Sequence, residues 1–316
     1  MQVVVTDTVF PDLNITEAIL TGVADVRISP PNDRAALKEL VRNADAILNC
    51  YAPVDADLIA AMQNCRIIAR SGIGTDTIDI AAATAKGIKV TNVPDYCVHE
   101  VADHAVALML SLMRGIHAGA AQTTSGGWNL DALRPMDRIQ GKMLGLVGFG
   151  KIGSALATRA RAFGMKVRFY DPYYSAEVPA EFHRDETLEA TLAQSDVLSL
   201  HVPLNASTRH LIRRETLGLV SKGTIVINTS RGGLIDTEAL LAALDSKHLG
   251  GVGLDVLEVE TGREAARFAP YPNAIVTPHA AFYSEAAIVE LQTKCSEDIL
   301  RALTGQEPRY WLNRGT

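Results

Sequence analysis

The sequence predicts an α/β protein of two units, each built on a mainly parallel sheet. Three observations lead there. The chain has 316 residues, beyond the size at which one hydrophobic core usually keeps growing. Short β-rich runs alternate with helical patterns from the start, and βα alternation implies a parallel sheet covered on both faces. A similar rhythm begins again after Lys142, without a sequence repeat at a fixed period.

In the first unit Val3–Val5, Val26–Ile28, Ala46–Leu48 and Ile67–Ala69 read as buried strands. Ile15–Leu20, Ala35–Val41 and Asp57–Met62 carry helical periodicity between them. A long helix follows near Val98–His117. Its most apolar part, Val101–Met113, is interrupted by Asp103 and His104 and is too short to span a bilayer. Gly126-Gly127-Trp128 and the polar stretch to Gly141 read as a connector or arm, with Trp128 packing on a partner subunit or covering its own domain. Strands of the second unit fall at Leu144–Val147, Val167–Tyr170, Val197–Leu200, Thr224–Asn228, Val252–Leu254 and Ala274–Val276. A last helix, Glu285 to about Leu303, comes after that unit is complete.

Composition narrows the function classes. Hydrophobic residues make up 47% and charged residues 21%, which is ordinary for a globular chain and argues against disorder, collagen or coiled coil. A formal net charge of −6 disfavours nucleic acid as a partner. Cys50, Cys65, Cys97 and Cys295 lie far apart without CxxC spacing, so neither a metal site nor a disulfide framework is expected. No basic-then-apolar signal segment opens the sequence. The expectation is a cytoplasmic protein with reduced thiols and no membrane partner.

One motif points to a cofactor. The strand Leu144–Val147 runs into Gly148-Phe149-Gly150-Lys151-Ile152-Gly153 and then a helix over Ser154–Phe163. In that context Gly148 permits the tight turn, Gly150 lets a pyrophosphate approach the backbone, and Gly153 lets helix pack on strand. The helix N-terminus offers N–H groups and a positive dipole end to phosphates. Strand Lys166–Tyr170 ends at Asp171, 18 residues beyond Gly153 (171 − 153). A carboxylate there accepts hydrogen bonds from ribose hydroxyls and repels a 2′-phosphate, which favours NAD over NADP.

Ligands of open α/β sheets bind beyond the carboxyl ends of the strands. Three such ends carry chemistry: Thr229-Ser230-Arg231-Gly232-Gly233, then Asp255 with Glu258 and Glu260, then Thr277-Pro278-His279. Hydride transfer to a carbonyl needs a proton donor at the oxygen, which suits histidine. A carboxylate beside the histidine fixes its tautomer and favours its charged form. A substrate carboxylate calls for the planar fork of arginine. Arg231 and His279 fit these roles, and chemistry alone leaves Glu258 and Glu260 nearly even. His104 sits mid-helix among apolar residues and reads as structural, His117 ends that helix, and His201 follows a strand as a candidate to line the cofactor.

With these residues the chain resembles the D-isomer-specific 2-hydroxyacid dehydrogenase family across nearly its whole length. Ser71-Gly72-Ile73-Gly74-Thr75-Asp76 matches the family's glycine loop, and Asn92-Val93-Pro94 the hinge before the long helix. The GxGxxG turn, Thr229-Ser230-Arg231-Gly232, Asp255-Val256 and Pro278-His279 follow in family order. The resemblance implies two Rossmann-like parallel-sheet domains with a cleft between them: a discontinuous, flavodoxin-like substrate domain (1–97 plus 284–316) and an NAD-binding domain (98–283) that includes a dimerisation helix and arm. It implies NAD(H)-dependent interconversion of a small 2-oxo acid and a D-2-hydroxy acid by a homodimer. It assigns Glu260, not Glu258, as partner of His279. Backbone amides around Ile73 and Gly74 would hold the substrate carboxylate with Arg231, with Arg70 near the substrate mouth. Asp255 would face the nicotinamide carboxamide, and His201-Val202-Pro203, Thr229 and Ser230 would line the cofactor.

The stretch Thr277–Glu285 is most similar to the C-terminal-binding-protein branch, which includes transcriptional corepressors that retain a dehydrogenase site. An NAD-sensing, peptide-binding scaffold is therefore the alternative function, and the complete Arg–Glu–His set favours chemistry over it. Phe282, a candidate wall of the substrate pocket, stands where those corepressors carry tryptophan. Thr261 follows Glu260 where many members have proline.

Overall fold

The computed structural model describes residues 1–315, the side chain of Ala132 excepted. The chain forms two compact units, Met1–Tyr96 with Tyr283–Thr316, and Cys97–Phe282.

The first unit runs β1 (Gln2–Val5), α1 (Asn14–Leu20), β2 (Asp25–Ile28), α2 (Arg34–Leu40), β3 (Ala46–Asn49), α3 (Ala56–Ala61), β4 (Ile67–Arg70), α4 (Ile80–Ala85) and β5 (Lys89–Thr91). Asp33, Asp55 and Asp79 start α2, α3 and α4 by accepting from the N–H groups of Ala36, Leu58 and Ala82, satisfying donors that a helix start leaves open. The strands form one parallel sheet in the order β2-β1-β3-β4-β5. The central strands β3 and β4 are wholly buried. Val26–Ile28, expected to be buried, is instead an edge strand paired only with β1, and Ile28 is 57% exposed. The last helix, Glu285–Leu303, returns to this unit and packs on α1 and β4. Gln292 donates to the Asp12 carbonyl at 2.8 Å and Ser296 to the Thr16 hydroxyl at 2.9 Å.

The second unit begins with α5 (Val98–Met113) and α6 (Ile116–Thr124). The single helix expected through His117 is broken at Arg114-Gly115, where Gly115 takes a left-handed φ of +59°. Beyond it, Trp128 is 93% exposed and covers nothing of its own domain. There follow β6 (Met143–Val147), α7 (Lys151–Ala162), β7 (Lys166–Tyr170), β8 (His183–Arg184), α8 (Leu188–Ala193), β9 (Val197–Leu200), α9 (Arg214–Leu217), β10 (Ile225–Asn228), α10 (Thr237–Asp245), β11 (Gly251–Leu254), α11 (Gly262–Ala265) and β12 (Ala274–Val276). The seven strands are parallel in the order β12-β11-β10-β9-β6-β7-β8. The chain moves outward from β6 through β7 and β8, then returns to β9 on the other side of β6. That reversal makes the carboxyl ends of β6 and β9 the expected ligand crevice. One apolar cluster joins α5 and α7 to the sheet through Leu108, Leu156 and Phe169, and another joins α10 through Leu240, Leu244 and Val252.

Among the described residues no helix is long and apolar enough to cross a membrane.

Candidate active site

The turn between β6 and α7 is shaped by its outer glycines. Gly148 has φ +95°, and a β-carbon there would lie 2.4 Å from the His201 carbonyl oxygen. A β-carbon on Gly153 would lie 2.4 Å from the Gly148 carbonyl oxygen. Both positions are closed to any side chain by backbone. Gly150 differs: a β-carbon there meets nothing within 4 Å, and no side chain caps the start of α7. Open space therefore lies against uncapped helical N–H groups, the donor set that phosphates use. Lys151 is exposed and Ile152 half-buried on the first turn. Phe149 contributes only backbone, because its ring stacks on Phe169 at 3.9 Å in the core.

The Asp171 carboxylate closes this turn, accepting from the Phe149 N–H at 2.9 Å and the Tyr173 N–H at 2.9 Å. At the end of β9, His201 Nε2 lies 2.8 Å from the Ser199 hydroxyl. Burial pushes the imidazole pKa down to about 4, so the ring is neutral at physiological pH. Its Nδ1 and the Thr229 hydroxyl are both buried without a hydrogen-bond partner among the described residues. Buried polar atoms seldom stay unsatisfied, and two of them at the ends of β9 and β10, with His201 against the glycine turn, suit a polar ligand such as a dinucleotide. Val202 packs on Gly148, and Pro203 accepts from the Thr208 hydroxyl at 2.7 Å. Ser230 is tied to the Leu200 carbonyl at 2.7 Å.

Arg231 follows β10 and donates from Nη1 to the Ser230 carbonyl at 2.8 Å, while the Asn228 side chain donates to the Arg231 carbonyl at 2.8 Å. A β-carbon on Gly232 would lie 1.9 Å from the Leu257 carbonyl carbon. The glycine therefore lets the Arg231 loop pass directly over the loop that carries Glu258 and Glu260.

His279 sits after β12 in the left-handed region at φ +52°. Its Nδ1 lies 2.9 Å from Glu260 Oε2. The two acidic neighbours are thereby separated. Glu258 accepts from His210 Nε2 at 2.6 Å and from the Thr237 N–H and hydroxyl at 2.9 and 2.7 Å. Burial raises its pKa, but the hydrogen bonds from Thr237 and His210 outweigh that and hold it below the usual range. Thr261 caps α11 by accepting from the Glu264 N–H at 3.3 Å, so the turn after Glu260 forms without proline.

Asp255, at the end of β11, is 1% exposed. Its carboxylate is engaged by the histidine loop: Oδ1 accepts from the Thr277 hydroxyl at 2.5 Å and the Ala280 N–H at 2.9 Å, and Oδ2 from the Ala281 N–H at 2.9 Å. His104 joins this cluster with Nε2 3.0 Å from the Thr277 hydroxyl. Sequence reasoning passed over it because no spacing links position 104 to 277. The Phe282 ring stands edge-on to the His279 ring at 6.2 Å between centroids.

In the first unit, Arg70 ends β4. It is 6% exposed, donates to the Ser71 carbonyl at 2.7 Å and lies over the Tyr51 ring at 5.7 Å. A β-carbon on Gly72, whose φ is +144°, would fall 1.3 Å from Arg70 Nη1. Ile73 and Gly74 are half-buried in the loop beyond, and the Ile73 carbonyl accepts from Asn92 at 2.7 Å.

Comparison with known proteins gives the family. A family model described as D-isomer specific 2-hydroxyacid dehydrogenase, NAD binding domain, matches residues 106–281. A hydroxypyruvate reductase of Thermotoga maritima is 39% identical over 275 residues, 86% of this chain and 89% of that protein. A D-3-phosphoglycerate dehydrogenase of Methanocaldococcus jannaschii is 34% identical over 309 residues, 97% of this chain but only 58% of that longer protein. The structure of a D-lactate dehydrogenase from Aquifex aeolicus, complexed with NAD and lactic acid, superposes with a TM-score of 0.88 at 26% identity and covers 96% of each chain. The chain belongs to the D-isomer specific 2-hydroxyacid dehydrogenase family, a family of NAD-dependent oxidoreductases, and residues 106–281 are its NAD-binding domain.

Proposed function

We propose that this protein interconverts a small 2-oxo acid and the corresponding D-2-hydroxy acid, with NAD preferred to NADP. The observation that carries the reading is the 2.9 Å contact between His279 Nδ1 and Glu260 Oε2. With Nδ1–H given to the carboxylate, Nε2 is the nitrogen we assign to proton exchange with the substrate.

When bound, NADH supplies the hydride that reduces the carbonyl carbon. His279 then delivers the Nε2 proton to the carbonyl oxygen, and the Glu260 carboxylate holds Nδ1–H and so fixes the orientation of the ring before transfer. In the reverse direction neutral His279 takes the hydroxyl proton. Arg231 pairs with the substrate carboxylate and aligns the carbonyl. Asp171 binds the ribose hydroxyls, the open face of Gly150 accepts the pyrophosphate, and His201, Val202, Pro203, Thr229 and Ser230 line the cofactor. Arg70, the amides of Ile73 and Gly74, and Phe282 are assigned to the substrate. We assign Asp255 to holding the histidine loop. We assign NAD binding to the continuous unit, which also carries Arg231, Glu260, His279 and Phe282, and substrate binding through Arg70, Ile73 and Gly74 to the discontinuous one.

The test is NADH oxidation followed at 340 nm against a panel of 2-oxo acids, with NADPH in parallel. Turnover on at least one acid with NADH preferred is the expected result. Tight NADH binding without turnover on any acid would move the assignment to an NAD-sensing scaffold. A homodimer is the proposed assembly, supported by the exposed apolar side chains Ile116, Trp128 and Leu130 on α6 and the following arm. Light scattering should return twice the 33.9 kDa chain mass, and the mass of a single chain would refute it.

A further inference from the structure

The loop that carries His279 is held by a polar chain reaching back to α5. His104 Nε2 lies 3.0 Å from the Thr277 hydroxyl, which donates to Asp255 Oδ1 at 2.5 Å. Counting protons fixes the direction. A threonine hydroxyl has one proton, and here the carboxylate takes it, so the oxygen accepts from His104 Nε2–H. The same Nε2 stands 3.6 Å from Asp255 Oδ1.

Asp255 then governs the backbone on either side of the histidine. Its carbonyl accepts from the His279 N–H at 2.8 Å, and its carboxylate from the N–H groups of Ala280 and Ala281, each at 2.9 Å. His279 itself holds φ +52°, a conformation that L-residues keep only when the surroundings impose it. The packing of α5 does not require a histidine at 104: Ala105, Leu108 and Met109 supply its buried apolar face. What His104 adds is one N–H directed at the loop's anchor.

We propose that His104 and Thr277 are positioning residues for the reaction. They orient the Asp255 carboxylate, which fixes the backbone of residues 279–281 and through it the His279 imidazole. The proposal rests on the acid–base role assigned to His279 above. Neither residue is placed at the reacting atoms.

The test uses the full chain with His104→Phe, which keeps a ring and removes the donor, His104→Gln, which keeps an N–H donor, Thr277→Val, and the His104→Phe/Thr277→Val double variant. Two readouts are taken: kcat, KM and NADH affinity, and the rate at which diethyl pyrocarbonate modifies His279 in the free protein, read by peptide mass spectrometry. His104→Phe and Thr277→Val should each lower kcat about 10-fold with NADH affinity unchanged, since small misplacements of a catalytic group are costly. Each should also change the His279 modification rate several-fold. The double variant should be no worse than either single one, because both act through one anchor. His104→Gln should stay close to the unmodified protein.

Unchanged kcat and unchanged His279 reactivity in His104→Phe would overturn the proposal. Additive losses in the double variant, or equal damage from glutamine and phenylalanine, would do the same. Should His104→Phe fail to fold, Thr277→Val with His104→Gln carries the same comparison. A chain that reduces no 2-oxo acid, but whose His279 reactivity responds as described, would refute the proposed function and leave the positioning role standing.

Discussion

His279 and its two acidic candidates show how much one residue's surroundings decide. Glu258 and Glu260 are two positions apart, yet one answers to His210 and Thr237 and the other to His279. Replacing His279 by alanine should lower kcat by about 10²–10⁴-fold while leaving NADH affinity intact, because only proton transfer is lost. Glu260→Gln should lower kcat by at least about 10-fold, since an amide can turn either its oxygen or its NH2 to Nδ1 and no longer fixes the ring's tautomer and orientation. Glu258→Gln should instead cost about 1–3 kcal/mol of stability through its broken hydrogen bonds, with kcat little changed. Steady-state kinetics beside thermal melts separates the two glutamates, and equal losses of kcat would refute the division of roles. Arg231 and His279 were legible in the sequence because both end strands on one side of a parallel sheet. The choice between the glutamates was legible only through the family resemblance and not from the residues' own chemistry, because it depends on His210, which lies 48 positions before Glu258 in the chain and shares no motif with either.

At the scale of elements, the glycine turn offers the sharpest prediction. Gly148→Ala and Gly153→Ala both drive a β-carbon into backbone 2.4 Å away, and should destabilise the second unit by about 1–3 kcal/mol or more. Gly150 has φ −72° and open space around it. Gly150→Ala should therefore melt like the unmodified protein while binding NADH at least about 10-fold more weakly, because the methyl group occupies the approach of the pyrophosphate. Calorimetry of binding and melting decides it, and unchanged affinity would put the phosphates elsewhere. The strand–turn–helix was readable because its residues act locally. Other elements were set by less local causes. Gly115 breaks the helix after Met113 by a left-handed turn, although apolar periodicity runs on past it. β2 lies at the sheet edge, which an apolar run cannot reveal. β8, two residues long, is too short to carry a period at all.

The whole molecule is asymmetric in how its units use the chain. The second unit is one continuous segment, Cys97–Phe282, with apolar clusters drawn from its own residues. The first is made of two segments, and its α1 and β4 are covered by Glu285–Leu303. Ile288, Leu291 and Ile299 of that helix are at most 5% exposed, so deleting it strips three large apolar side chains from one face, each worth roughly 1.5–3 kcal/mol of burial. That loss is comparable with the whole stability of a small domain. A fragment of residues 97–282 should therefore unfold cooperatively and bind NADH within about 10-fold of the full chain, a difference of no more than about 1.4 kcal/mol. A fragment of residues 1–96 should lack a cooperative transition until residues 283–316 are supplied with it. Circular dichroism melts and NADH fluorescence titration on the two fragments measure both halves of the claim. Cooperative folding of 1–96 alone would mean that the last helix is an accessory to that unit, and failure of 97–282 to bind NADH would mean that the cofactor site needs more than its own segment.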